Sequence, residues 1–91
     1  SQEVDLHAEA LGIEENDIHS TEILRQQLAV FNDSLDKAII AGLKEITFIH
    51  GVGQGTLKKK ILEEIRSRKE IKYWQDAQKE KFGYGATKIV L

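Results

Sequence analysis

The residues able to do chemistry fall in two short stretches. In the first, Asp5 and His7 flank Leu6, and spacing of two puts both on one side of an extended chain. A carboxylate so placed can orient an imidazole for proton transfer. In the second, His50 ends the apolar β-prone run Ile46-Thr47-Phe48-Ile49 and is followed by Gly51, Gly53 and Gly55 before a helical pattern starts at Thr56-Leu57. Strand, glycine loop and helix form a layout for anions. Without Cβ atoms, successive backbone N–H groups can turn toward one centre, and the helix N-terminus adds partial positive charge. The Gly-Lys-Ser/Thr ending of a Walker loop is absent, and the glycines miss the dinucleotide fingerprint by one residue. A tight strand-to-helix turn is the competing reading. The remaining histidine, His19, lies in a polar stretch and reads as a solvated loop residue.

Composition narrows the classes. The 91 residues suffice for one domain and leave no room for a second. Hydrophobic content of 41% and charged content of 31% describe an ordinary globular chain, and no apolar run approaches the roughly 20 residues of a membrane helix. The absence of cysteine excludes disulfides, thiolate metal sites and a cysteine nucleophile, which suits a cytoplasmic protein. The absence of methionine, position 1 included, points to a piece cut from a longer protein whose upstream domains would be partners. The net charge of −2 hides a division. Residues 1–45 carry three Lys/Arg against ten Asp/Glu, and residues 46–91 carry ten against five. The basic half begins at the glycine loop, which points to a polyanionic partner.

Four strands and two helices must hold these residues. Glu3 to His7 alternates polar and apolar as a half-buried strand, and Ala8 to Ser20, with the acidic patch Glu14-Glu15-Asn16-Asp17, reads as a loop leading to a helix cap. From Glu22, the positions Leu24, Leu28, Phe31, Leu35, Ala38 and Ile39 form one stripe of a long helix ending at Gly42. Glu45–Ile49 is apolar enough for an interior strand. Thr56 reads as the cap of a second helix, with Leu57, Ile61, Leu62 and Ile65 inward and Lys58, Lys59 and Lys60 outward. Three ammonium groups in a first helical turn oppose the helix dipole unless an anion sits nearby. Ile71–Ala77 and Ala86–Leu91 are two further strands joined by a loop from Gln78 to Gly85 whose glycines suggest flexibility. Trp74 is expected to pack against the sheet, and Tyr84, between glycines, to be the exposed ring that could stack on a base.

The order β-α-β-α-β-β implies a two-layer α/β domain with both helices on one face of a four-stranded mixed sheet. The strand order 1-2-4-3 makes the first two strands parallel neighbours, so that Asp5-Leu6-His7 and His50-Gly51-Val52-Gly53 open on one sheet edge. The motifs Val4-Asp5-Leu6-His7 and His50-Gly51-Val52-Gly53, with the closing Gly85-Ala86-Thr87-Lys88-Ile89-Val90-Leu91, resemble the Smr (small MutS-related) domain family over nearly the whole chain. The resemblance implies a fold like the C-terminal domain of bacterial translation initiation factor three, nucleic-acid binding, and nicking or RNA endonuclease activity. It further implies a catalytic pair at Asp5 and His7 and a second motif at His50, Gly51 and Gly53. Two departures stand out: Ala8 replaces the glycine that follows the first histidine, and the 8–19 connection is longer than usual.

These features predict RNA or structured DNA as the substrate, with Asp5, His7 and His50 as catalytic candidates. Gly51, Gly53, Gly55, Lys58, Lys59, Lys60 and Tyr84 are the expected nucleic-acid contacts. On RNA, an imidazole can take the 2′-hydroxyl proton while loop amides hold the phosphate, and no cofactor is required. On DNA a metal-activated water would be needed, and one carboxylate with two histidines is sparse for Mg²⁺. The alternative is a non-catalytic module that docks a larger protein on nucleic acid or protein.

Overall fold

The computed structural model describes residues 2–14, 19–53, 55–77 and 79–91. The elements run β1 (Gln2–Asp5), α1 (Ser20–Ile40), β2 (Glu45–Ile49), α2 (Thr56–Arg66), β3 (Tyr73–Asp76), α3 (Lys79–Phe82) and β4 (Ala86–Val90). The strands form one sheet in the order β1-β2-β4-β3, with β1 parallel to β2 and the other pairs antiparallel. This is the architecture expected from the strand–helix order.

Register explains why both helices cover one face. Ile46 pairs with Ile89 and Phe48 with Val4, so alternate positions of adjacent strands present a single apolar surface. Phe31, Leu35 and Ala38 of α1 and Leu57, Ile61 and Ile65 of α2 meet it in one cluster with Leu6, Ile46, Phe48 and Ile89. Phe31 and Phe48 lock helix to sheet with ring centroids 4.6 Å apart, tilted by 58°. Truncating either ring would remove about 3–5 kcal/mol, because a close-packed core refills poorly. The α1 helix ends in a Schellman motif: Leu43 N–H donates to the Ala38 carbonyl and Gly42 N–H to that of Ile39. That ending turns the chain directly into β2.

Several boundaries differ from expectation. The ladder of β1 spans Gln2–Asp5 and releases Leu6 and His7, because Leu6 N–H makes a last bond to the Ile49 carbonyl before the chain coils through Leu11 N–H to the His7 carbonyl. His19 occupies the cap position of α1, exposed and without a side-chain cap bond. At α2 the cap residue is Gly55, and Thr56 is already helical. The β3 ladder is shorter than the aromatic run suggested, and its connection to β4 contains the single turn α3. Glu15, Asn16 and Asp17 of the acidic patch, with Gln54 and Gln78, lie outside the described residues.

Candidate nucleic-acid interface

The end of β1 is held from two sides. Leu6 N–H donates to the Ile49 carbonyl at 2.8 Å, and the Leu6 carbonyl accepts from Gln27 Nε2 of α1 at 2.9 Å. Between these anchors Asp5 and His7 fall on the same side, as their spacing requires. His7 Nδ1 lies 2.7 Å from Asp5 Oδ1, and the same oxygen accepts the His7 backbone N–H at 2.9 Å. A carboxylate can only accept, so Nδ1 carries the proton, and Nε2, which keeps its lone pair, faces Gly51. Both side chains are 46% exposed. Nε2 has no hydrogen-bond partner among the described residues.

The end of β2 is built in the opposite way. His50 follows Phe48 onto the helix-covered face and is buried. Its Nδ1 lies 2.9 Å from the Gly51 carbonyl and its Nε2 2.8 Å from Thr87 Oγ1, itself fully buried. The carbonyl can only accept, so Nδ1 donates and Nε2 accepts the Thr87 hydroxyl proton. Burial pushes the His50 pKa below its ordinary 6.5. The Gly51 carbonyl and Asp76 oppose that shift, while Lys58 and His7 reinforce it. A neutral ring with both nitrogens engaged positions its neighbours.

Gly51 is what the two histidines share. Its φ of +79° is left-handed, and a Cβ there would stand 2.7 Å from His7 Nε2, so any side chain would displace the His7 ring. Gly85 closes on it from the far side: His50 N–H and Gly51 N–H both donate to the Gly85 carbonyl at 2.9 Å. A Cβ on Gly85 would meet the Gly51 backbone at 3.2 Å. The segment expected to be flexible is therefore pinned at Gly85, which is buried.

Beyond Gly51 the loop runs through Gly53 to Gly55, whose φ of +77° sets the entry to α2. Among the described residues no side chain caps that helix, and no acid occupies its first turn, so its leading amides remain available. They open on a cleft of about 380 Å³ between the N-terminal turns of α1 and α2, lined among others by Ser20, Thr21, Gln27, His50, Gly51 and Thr56. The His7 ring is outside this lining, at the Gly51 rim. Two helix starts and three hydroxyls around one cleft suit an anion.

The three lysines do not act alike. Lys58 Nζ pairs with Asp76 Oδ1 at 2.8 Å and is mostly covered. Lys60 lies 3.6 Å from Glu63, and Lys59 is exposed. Tyr84 is exposed as expected, but so is Trp74, at 39%. Trp74 pairs with Ile89 on the helix-covered face, yet β3 is the edge strand, where Lys58 of α2 lies over the ring without covering it. Sequence reasoning passed over Gln27, Asp76, Gly85 and Thr87. The last two lay inside the closing motif, but nothing local says that they meet His50 across the sheet. Among the described residues, no three His, Asp or Glu side chains gather to hold a metal ion, and no helix is long and apolar enough to cross a membrane.

The Smr domain family model matches residues 17–91. Among curated relatives, Endonuclease MutS2 of Finegoldia magna is 46% identical over 57 residues, which is 63% of this chain and 7% of the relative. Endonuclease MutS2 of Clostridium tetani is 38% identical over 65 residues, 69% of this chain and 8% of the relative. The chain thus spans a small part of the length of the curated relatives it matches. The crystal structure of the Smr domain of Thermus thermophilus MutS2 superposes with a TM-score of 0.75 at 26% identity, covering 100% of this chain and 98% of that one. The family match begins after Asp5-Leu6-His7, whereas the structural likeness includes it.

Proposed function

The chain belongs to the Smr domain family, and from that premise we propose that it binds nucleic acid and cleaves phosphodiester bonds, as a working part of a longer protein. The observation that carries this reading is the Asp5–His7 pair at 2.7 Å, with the unprotonated Nε2 against Gly51 at the rim of the glycine loop that leads into α2. Support also comes from relatives bearing the name endonuclease.

The proposed chemistry suits RNA. His7 Nε2 takes the proton of the 2′-hydroxyl, whose oxygen bonds to the adjacent phosphorus as the bond to the 5′-oxygen breaks; the 5′-oxygen takes a proton from water and leaves as a hydroxyl, and a 2′,3′-cyclic phosphate remains. Asp5 holds the ring and stabilises the imidazolium that forms. Amides of the glycine loop and the start of α2 face the phosphoryl oxygens as charge builds on them. His50 takes no proton in this scheme; through its bond to the Gly51 carbonyl it sets the loop. Structured DNA lacks the internal nucleophile, so its cleavage would call for a metal-bound water, toward which Asp5 and His7 supply two ligands.

The test is incubation of the 91-residue chain with labelled single-stranded and duplex RNA and DNA, with and without EDTA. Cleavage of RNA that survives EDTA and ends in cyclic phosphate is the expected result. Retention of nucleic acid without cleavage would replace the endonuclease with a docking module.

A further inference from the structure

Beside the cleft lies a group of side chains that neither the core nor the proposed chemistry uses. Lys58, which lines the cleft, places its Nζ 6.0 Å from the centre of the Trp74 ring and 5.5 Å from that of Tyr84. Lys79, from the turn α3, places its own 4.6 Å from the Tyr84 ring. Two aromatic rings thus flank one ammonium at the cleft edge, and both are exposed, Tyr84 by 56%. A core role would have buried them. Asp76 neutralises Lys58, but Lys79 has no carboxylate partner among the described residues, so the patch keeps net positive charge.

We propose that Trp74 and Tyr84, with Lys58 and Lys79, form a stacking platform for unpaired nucleobases, which makes single-stranded nucleic acid the substrate class of this domain. The proposal rests on the phosphate-binding reading of the glycine loop and extends it along the strand. Bases of a duplex are already stacked on each other and offer no free face to a protein ring. An unpaired base next to a phosphate held at the loop can lie on Tyr84 or Trp74, with the ammonium groups meeting the flanking phosphates. Ring stacking tolerates any base, so the platform selects for strandedness and not for sequence.

Trp74 is the only tryptophan of the chain, so its emission reports on the platform directly. The probes are an unlabelled single-stranded oligonucleotide, a blunt duplex of equal length and polyglutamate, added to the 91-residue chain while emission is recorded; anisotropy of a labelled single strand measures binding in parallel. Quenching by the single strand and not by the other two is expected. Tyr84→Ala should weaken single-strand binding about 5- to 150-fold, the range for loss of one stacked base. Tyr84→Phe should restore it, and melting curves of both variants should overlay the parent. Equal quenching by duplex or polyglutamate overturns the platform and leaves a general polyanion or acidic-protein surface. Single-strand binding with no quenching and no loss in Tyr84→Ala overturns the platform while the phosphate site stands. Absence of binding by every nucleic acid overturns both.

Discussion

His7 follows β1 and His50 follows β2, and these strands are parallel neighbours in register from Gln2↔Ile46 to Asp5↔Ile49. Their rings nevertheless sit in opposite settings. His7 is half exposed, oriented by one carboxylate, with one nitrogen open; His50 is buried, with one nitrogen bonded to Gly51 and the other to Thr87. The ladder stops at Asp5, which lets His7 turn outward beside Asp5. The strand alternation of β2 carries His50 under the helices, where Thr87 of β4 already faces Phe48. A histidine at a strand end is thus left open to solvent or held between neighbours according to which face it leaves by.

The strongest way to break this comparison is His7→Ala. It should lower the cleavage rate about 10²–10⁴-fold, with affinity for uncleaved substrate and the melting temperature nearly unchanged. An equal rate in that variant would end the division of labour. Next comes Gly51→Ala, which strains the left-handed backbone and displaces the His7 ring. Cleavage should fall about 10²-fold, as expected for a misplacement of about 1 Å, and denaturant titration should show about 1–2 kcal/mol of lost stability.

The held ring is addressed by Thr87→Val, which keeps the shape and leaves His50 Nε2 without its donor. Stability should drop by about 1–3 kcal/mol, with a smaller effect on rate than His7→Ala. His50 also makes stability depend on pH. Because burial lowers its pKa in the fold, the unfolded chain takes the proton first. The contribution is complete above the ordinary value of 6.5 and is lost as pH falls through the folded value. Urea midpoints measured from pH 8 to 5 should decline for the parent and decline less for His50→Gln.

The smallest effect concerns the lysines. Lys59→Ala should reduce the slope of log K against log salt by about 0.7–0.9 if it meets one phosphate. Lys58→Ala should lower stability as well, because it leaves Asp76 half-buried without its cation. Titrations at several salt concentrations, paired with melts, separate the two.

The amino-acid sequence by itself determined the layers and the strand order. One-sided apolar stripes at 24–39 and 57–65 leave the helices a single face to cover, and a β-α-β unit closes in one hand. It also determined the Asp5–His7 pair, because residues two apart in an extended chain face the same way. Local pattern left the ends of β1 and β3 too long, since strand length is decided by where partner carbonyls run out. The role of His50, the bracing of Leu6 by Gln27, the pinning of Gly85 and the tie between Lys58 and Asp76 were decided only in the tertiary structure. Each joins residues from different elements, 18 to 37 positions apart where a side chain makes the bond. Spacing along a chain reports which residues share a face of one element; which face meets which neighbour is settled by packing.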